Sequence, residues 1–288
     1  MTGKKGTGRT VKGKLRILLI LLAAAVLLGA YGGYRLVRHE QQQSARIAGL
    51  THQAEAMSGQ IRELENMLEA LRRKESGDKV RWNGEEFNWF AIGNSITLHE
   101  PNSHWWNPVG MAASDADHDY FALVRRHLEE KNGAVHAERL YFYAWETQDE
   151  NRDFTLLYLE PYLCEELDLV TIQLGENVSG LETFAKDFET LITYVKERAP
   201  KARILVIGDF WTYENREELK RKTADNTGVE FVSLDGIRDN GEYQCGMGAT
   251  VYDAEGTAHS VDHGAIASHP GDKGMQAIAE KVIAALEQ

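Results

Sequence analysis

From Val80 to the C-terminus, short apolar segments alternate with amphipathic segments, and this alternation constrains the fold more than any other feature of the chain. The strand candidates are Phe87–Ile92, Arg139–Tyr143, Leu167–Leu174, Arg203–Gly208 and Glu230–Leu234. The helix candidates include Asp117–Lys131, Leu181–Arg198 and Gly271–Leu286. Strands that alternate with helices in this way pair in parallel and are covered on both faces. Residues 80–288 are therefore predicted to form a three-layer α/β/α sandwich around a five-stranded parallel sheet, of the flavodoxin-like kind.

An uncharged, mostly apolar stretch of 18 residues, from Ile17 to Tyr34, precedes this domain. Its length is at the lower limit for spanning a bilayer, and Arg35 and Arg38 can extend it by snorkelling. Six Lys and Arg side chains precede the stretch and two follow it, which favours a cytoplasmic N-terminus and an extracytoplasmic domain. We predict a basic cytoplasmic tail at 1–16 and an uncleaved transmembrane signal anchor at 17–38. A cleaved signal peptide is the alternative.

Residues 39–79 are predicted to form a helical stalk. Apolar side chains recur there at alternating spacings of three and four, as Ile47, Leu50, Ala54, Met57, Ile61, Leu64, Leu68 and Leu71. This heptad pattern is typical of a coiled coil, and it favours a homo-oligomer of stalks, a parallel dimer or trimer, formed through residues 47–71. A single amphipathic helix that packs on the globular domain would show a similar stripe.

Charge restricts the partners of the globular domain. Residues 80–288 contain 18 basic and 37 acidic side chains, a net charge of −19. Because such a domain repels phosphate backbones, no nucleic-acid partner is expected. The chain has two cysteines, Cys164 and Cys245, which are too few for a disulfide framework. They either pair in an oxidising compartment or pack as small apolar side chains.

Three segments place reactive side chains where the predicted strands end. The first strand candidate runs into Gly93-Asn94-Ser95, and the third runs into Gly175-Glu176-Asn177. His269 lies in a loop before the last helix, and Pro270 fixes the start of that helix. Because the carboxyl ends of parallel strands share one edge of a sheet, these side chains are expected to converge.

The three side chains have complementary chemistry. A serine hydroxyl becomes a nucleophile when a base takes its proton, and imidazole titrates in the right range. The oxyanion that forms on an attacked acyl group needs fixed donors, and the backbone N–H of Ser95 and the amide of Asn177 can supply them. The pattern therefore predicts Ser95 as the nucleophile and His269 as the base.

At these positions the chain resembles the SGNH hydrolases, the GDSL-like esterase superfamily. Gly93-Asn94-Ser95 matches the first block, with Asn94 where Asp is more usual, and Gly175-Glu176-Asn177 matches the Gly-x-Asn block. His269-Pro270, followed by Gly274-Met275, matches the histidine block. The resemblance covers about residues 86–288. It implies a Ser nucleophile, a His base, and oxyanion donors from the Ser amide, a glycine amide of the second block and the Asn side chain.

Two positions depart from the pattern of that family. Where a glycine should follow the second strand, the chain has Tyr143-Ala144-Trp145, and a backbone N–H of Ala144 or Trp145 is expected to act as the oxyanion donor. The acid usually found three residues before the histidine is replaced by Ile266. We expect Asp262 to orient His269 instead. The alternatives are that another acid or a carbonyl group orients His269, or that Ser95 and His269 act as a pair with no third member.

The residues around the nucleophile turn suggest a substrate site. Asn94, His99 and Trp106 are expected to contact the substrate, and no metal or cofactor is expected. The pattern predicts a membrane-tethered, extracytoplasmic serine esterase that removes ester groups, O-acetyl groups first among them, from a carbohydrate or cell-envelope glycan. The alternatives are an O-acetyltransferase of the same fold and a catalytically inactive binding module on a coiled-coil stalk.

Overall fold

The structure, a computed structural model, describes residues 79–148 and 152–288. It also describes six isolated helical positions nearer the N-terminus, namely Arg35, Arg38, His39, Gln43, Arg46 and Leu68. The predicted apolar span and nearly all of the predicted heptad pattern lie outside these residues, so the anchor and the coiled coil stay predictions. Among the residues described, no helix combines the length and apolar character needed to cross a bilayer.

Five parallel strands form the central sheet. They are β1 (Phe87–Gly93), β2 (Val135–Tyr141), β3 (Leu169–Gln173), β4 (Arg203–Ile207) and β5 (Glu230–Val232). Their order in the sheet is β2-β1-β3-β4-β5, with every neighbouring pair parallel. The sequences of β1, β3 and β4 are mainly apolar, without a polar face, because these strands are buried on both faces. The predicted five-stranded parallel sheet is confirmed, in the flavodoxin-like order.

Helices cover both faces of the sheet. They are α1 (Tyr120–Asn132), α2 (Tyr143–Thr147), α3 (Arg152–Thr155), α4 (Phe184–Arg198), α5 (Arg216–Thr227), α6 (Gly264–Ala267) and α7 (Asp272–Leu286). Along β1, Trp89 and Ala91 pack in the layer of α1 and α7, while Phe90 and Ile92 pack in the layer of α4 and α5. This alternation follows from the two-residue period of a strand, and it gives the three predicted layers.

Besides the short helices α2, α3 and α6, which were not predicted, the structure differs from the predicted elements in three places. Strand β2 begins at Val135, not Arg139, and ends at Tyr141 because the chain turns there into α2. Helix α5 has no apolar stripe, since its buried positions include the polar side chains of Arg216, Lys220 and Thr223, and it was therefore not predicted. A two-stranded antiparallel hairpin, β6 (Thr250–Tyr252) with β7 (Ala258–Ser260), was also not predicted.

The hairpin belongs to a separate small apolar cluster that supports the histidine loop. The cluster consists of Trp105, Val109, Met111, Ala112, Val251, Val261, Ile266 and Ala267. Its last two members lie in α6, three and two residues before His269. Burial of this cluster, at about 25 cal/mol per Å² of apolar surface, therefore fixes the loop that carries His269.

Candidate active site

Ser95 and Asn177 follow β1 and β3, which are neighbours in the sheet. The strand order reverses at β1, because β2 lies on one side of it and β3 on the other. Open α/β sheets bind ligands beyond the carboxyl ends of their strands at such a reversal. The two loops therefore lie where a substrate crevice is expected.

The turn after β1 has space only for glycine at its first position. A Cβ atom on Gly93 would lie 1.9 Å from Thr97 Oγ1. Next in the chain, the Asn94 Oδ1 atom accepts a hydrogen bond from the Ile96 N–H at 3.1 Å, and the Thr97 N–H donates to the Asn94 carbonyl at 3.0 Å. These bonds close the turn and leave Ser95 half-buried at its tip.

The structure brings the predicted nucleophile and base together. Ser95 Oγ lies 2.8 Å from His269 Nε2, and His269 Nδ1 lies 2.7 Å from the carbonyl oxygen of Ala265. A carbonyl oxygen only accepts, so Nδ1 carries the proton and Nε2 is left to accept from the serine hydroxyl. Burial lowers the pKa of His269 to about 4, although the bond to Ala265 opposes this shift. The imidazole is therefore neutral at pH 7, in the tautomer that a general base needs.

Neighbouring side chains and backbone hold the histidine in place. The Trp211 ring packs edge-on against the imidazole, with 4.9 Å between centroids, and its Nε1–H donates to the Ser268 carbonyl at 3.2 Å. On the other side, the Cys245 N–H donates to the carbonyl of His269 at 2.8 Å. Cys245 is a free thiol, as is Cys164, so the two cysteines are not paired.

The expectation that Asp262 orients His269 is wrong. Asp262 Oδ1 lies 3.3 Å from His104 Nδ1, and its side chain is exposed. The helical turn α6 instead carries the Ala265 carbonyl to Nδ1 of the catalytic histidine candidate. A carbonyl group was among the alternatives, but a backbone acceptor leaves no signature in the sequence.

The predicted oxyanion donors differ in exposure and in the hydrogen bonds that they already make. Asn177 is exposed, and its Nδ2 donates one hydrogen bond to Glu146 Oε2 at 2.7 Å, which leaves the second N–H of the amide for another acceptor. The expectation for Trp145 is wrong, because its N–H already donates to Phe142 and its side chain is buried. Ala144 is buried in the first turn of α2, and its role stays a prediction.

Two of the three predicted substrate contacts lie at the surface. Asn94 is fully buried and cannot touch a substrate, so this expectation is wrong. His99 is half-buried, and its ring lies 5.1 Å from that of Tyr141, which pairs with Gly93 across the sheet. The half-buried ring of Trp106 stacks on His259, with 4.4 Å between centroids.

Glu146 and Glu176 are site residues to which the sequence analysis gave no role. Glu146 is fully buried in α2, and Glu176 is half-buried after β3. Asn94 Nδ2 joins them, at 3.2 Å from Glu146 Oε1 and 2.6 Å from Glu176 Oε2. Burial and the nearby charge of Glu176 raise the pKa of Glu146 to about 7. Glu176 was visible only as the variable position of its motif, and a lone glutamate after a strand ordinarily faces solvent.

A buried ionic cluster lies behind Glu176. Asp209 is 1% exposed, and it accepts from Arg216 Nε at 2.6 Å and from Lys220 Nζ at 2.7 Å. Burial by itself would raise the pKa of Asp209, but the two cations lower it. Arg216 also donates to the Glu176 carbonyl at 3.2 Å, so this cluster anchors the loop that carries Asn177.

A scan against protein-family models and a search of curated proteins found no match. Several solved structures do resemble the chain. A two-domain esterase (CEX) active on acetylated mannans is 17% identical over 76% of this chain, with a TM-score of 0.45. The match covers 52% of that esterase, so this chain spans about half its length.

Two further solved structures that the chain resembles are also named as ester hydrolases. A GDSL-like lipase from Bacteroides ovatus is 14% identical over 70% of this chain and 99% of its own, with a TM-score of 0.46. A family two carbohydrate esterase from Clostridium thermocellum is 18% identical over 70% of this chain and 64% of its own, with a TM-score of 0.45. By name, these three solved structures are two esterases and one lipase.

Proposed function

We propose that the chain is a serine esterase of the SGNH type. The observation that carries this proposal is the 2.8 Å contact between Ser95 Oγ and His269 Nε2 at the carboxyl edge of the sheet. The contact supplies a nucleophile and a base at hydrogen-bond distance, and the Ala265 carbonyl orients the base. This arrangement favours a catalytic role over the alternative of an inactive binding module.

The proposed reaction proceeds through an acyl-enzyme. As Ser95 Oγ attacks the acyl carbon, its proton moves to Nε2 of His269, and the carbonyl oxygen of the ester becomes an oxyanion. The second N–H of the Asn177 amide and the backbone N–H of Ser95 stabilise that oxyanion. His269 returns the proton to the departing alcohol. Water then attacks the acyl-serine and gives a proton to His269; the bond between the acyl carbon and Ser95 Oγ breaks, the carboxylic acid is released, and His269 returns the proton to Ser95 Oγ.

We propose a neutral acylated carbohydrate as the substrate. Aromatic rings lie in this region: Trp211 packs against His269, and the rings of His99, Tyr141 and Tyr143 follow one another beside the end of β1. Such rings offer apolar faces to a sugar. The net charge of −19 over residues 80–288 opposes polyanionic substrates. Since ester hydrolysis needs an acyl group on a hydroxyl, an O-acetylated neutral glycan fits both features.

The location of the domain is also a proposal. The apolar stretch 17–34 and the excess of basic residues before it support a single-pass anchor with residues 80–288 outside the cytoplasm. Reporter fusions at the C-terminus test this topology, and a cytoplasmic C-terminus would contradict it. The heptad pattern at 47–71 supports a homo-oligomer, and a monomeric mass in solution would remove that part of the proposal.

Hydrolysis of a short-chain aryl ester tests the activity. The full chain is expected to release the chromophore, and Ser95→Ala and His269→Ala are each expected to reduce kcat by about 10³-fold or more. Ser103→Ala is the matched control, because Ser103 is exposed in the loop that follows the nucleophile turn. If Ser95→Ala turned over as fast as wild type, the nucleophile assignment would be wrong.

Product analysis then separates hydrolysis from acyl transfer. With an acetylated oligosaccharide, an esterase releases free acetate whether or not a second sugar is present. Transfer of the acetyl group to an added oligosaccharide, in preference to water, would instead support the O-acetyltransferase alternative.

A further inference from the structure

Glu146 is a fully buried carboxylate whose oxygens receive donors from both loops of the candidate active site. Its Oε1 accepts from the Gly175 N–H at 2.5 Å, from Asn94 Nδ2 at 3.2 Å and from the Asn177 N–H at 3.4 Å. Its Oε2 accepts from Asn177 Nδ2 at 2.7 Å. One side chain from α2 therefore connects the turn after β1 to the loop after β3.

The partners of Glu146 differ from those of an ordinary buried acid in this protein. Asp209 is held by two cations, Arg216 and Lys220, at 2.6 and 2.7 Å. Within the part of the chain that the structure describes, every group that donates to Glu146 is a neutral N–H. Burial of a carboxylate without a neighbouring cation lowers the stability of the folded state. The function of Glu146 is therefore expected to lie in the donors that it orients.

The Asn177 amide is the donor that this arrangement orients most directly. An amide nitrogen has two N–H groups in a fixed plane, and one of them points at Glu146 Oε2. Once that bond is made, the direction of the second N–H is fixed. Because Asn177 is exposed at the crevice, its second N–H is the one that can reach a substrate.

Asn94 keeps the Glu146 carboxylate in position. The two N–H groups of its side-chain amide serve two carboxylates, Glu146 at 3.2 Å and Glu176 at 2.6 Å. Gln173 Nε2 adds a second donor to the same oxygen of Glu176, also at 2.6 Å. An aspartate at position 94 has no N–H to offer, which gives a physical reason for Asn at this position.

We propose that Glu146 is a positioning residue, which acts through Asn177 and Gly175 to hold the oxyanion site in its working geometry. The proposal rests on the proposed esterase function. Glu146 itself touches neither the substrate nor the reacting atoms. It matters for the rate because oxyanion donors stabilise the transition state only when they are fixed in advance.

Steady-state kinetics of the purified full chain on 4-nitrophenyl acetate test the proposal. Glu146→Gln keeps the shape of the side chain but presents one oxygen where there were two. We expect kcat to fall by about 10- to 100-fold while KM changes by less than about threefold, because a misplaced oxyanion donor is felt only in the transition state. Glu130→Gln is the matched control, on an exposed position of α1, and should match wild type in both constants.

A double-mutant cycle separates this role from a general structural one. If Glu146 acts through the Asn177 amide, Glu146→Gln should lower kcat by less than about threefold in an Asn177→Ala background, because the donor that it orients is already gone. If Glu146→Gln does not fold, Glu146→Asp replaces it. That variant keeps the charge but withdraws the carboxylate by one methylene, and the same loss of kcat is expected.

The outcomes distinguish the two proposals. Wild-type activity that disappears in Ser95→Ala but keeps its full kcat in Glu146→Gln overturns the positioning role alone. A Glu146→Gln effect that multiplies in full with that of Asn177→Ala also overturns it, because Glu146 would then act elsewhere. A wild-type chain inactive on esters, or a Ser95→Ala variant as active as wild type, overturns the proposed function, and the positioning role falls with it.

Discussion

Asn94→Asp introduces a third carboxylate beside Glu146 and Glu176, and we expect it to destabilise this protein. The new carboxylate oxygen would replace an N–H that lies 2.6 Å from Glu176 Oε2 and 3.2 Å from Glu146 Oε1. Three carboxylates at these distances cannot all ionise. The cluster must therefore take up a further proton when the variant folds.

The size of the effect follows from that proton. An aspartate in the unfolded chain has a pKa of about 3.9, and each pH unit above this value costs about 1.36 kcal/mol if the group must be protonated in the folded state. The free energy of unfolding of Asn94→Asp should thus fall below that of wild type by about 4 kcal/mol at pH 7. The pKa of the new aspartate is higher in the folded state than in the unfolded state. The loss of stability therefore shrinks as the pH falls, to about 1.5 kcal/mol at pH 5, and vanishes below the pKa of the unfolded chain.

Urea unfolding followed by tryptophan fluorescence measures this difference at both pH values. All six tryptophans of the chain lie within residues 80–288, so the signal reports on this domain. Asn83→Asp is the control: Asn83 is exposed, its Oδ1 accepts from the Glu85 N–H at 3.1 Å, and an aspartate oxygen can do the same. It should stay within about 0.5 kcal/mol of wild type. Equal stability of Asn94→Asp and wild type at pH 5 and pH 7 would refute the reasoning.

Three further predictions follow from the geometry. Because burial lowers the pKa of His269 to about 4, protonation of the imidazole should lower kcat/KM near pH 4; Glu146→Gln removes the titration of Glu146 near pH 7, so an acid limb near 6.5 that persists in Glu146→Gln would contradict the assignment. Gly93→Ala places a Cβ atom 1.9 Å from a threonine oxygen, and it should lower the free energy of unfolding in urea by about 1–3 kcal/mol or more. Gly84→Ala is the control, because a Cβ atom there has nothing within 4 Å, and it should change the stability little. Lys220→Met leaves the buried Asp209 with one cation fewer and should cost about 3–5 kcal/mol; unchanged stability in the same assay would count against it.

The sheet could be predicted because its inner strands are buried on both faces. In a chain that alternates strands with helices, a short and mainly apolar segment such as Leu169–Gln173 indicates a strand that is covered by helices on either side. Prediction failed where burial is partial or polar. The edge strand Val135–Tyr141 is mostly half-buried, and α5 buries charged side chains that its sequence would place in solvent.

The candidate site could be predicted where a side chain performs the chemistry, and not where the backbone or a buried acid supports it. Ser95 and Asn177 could be predicted as candidates from their residue types at strand ends, and His269 from its residue type in the loop before the last helix. The carbonyl of Ala265 has no side-chain signature, so an acid, Asp262, was expected in its place. Glu146 was missed because its role depends on the direction of two loops distant in sequence.

The carbonyl of Ala265 performs only part of the work of an orienting carboxylate. In Ser-His-Asp triads, the large loss that follows an Asp→Asn change is ascribed to the wrong imidazole tautomer, and the Ala265 carbonyl secures the right one. It carries no charge, however, and the pKa of His269 stays near 4, so proton transfer from Ser95 is uphill at neutral pH. A base this weak contributes less to lowering the activation barrier, so stabilisation of the oxyanion must contribute more. The proposed positioning role meets that need: among the residues that the structure describes, the groups that donate to the fully buried Glu146 are all neutral N–H groups, and in the proposal this carboxylate fixes the direction of the Asn177 amide.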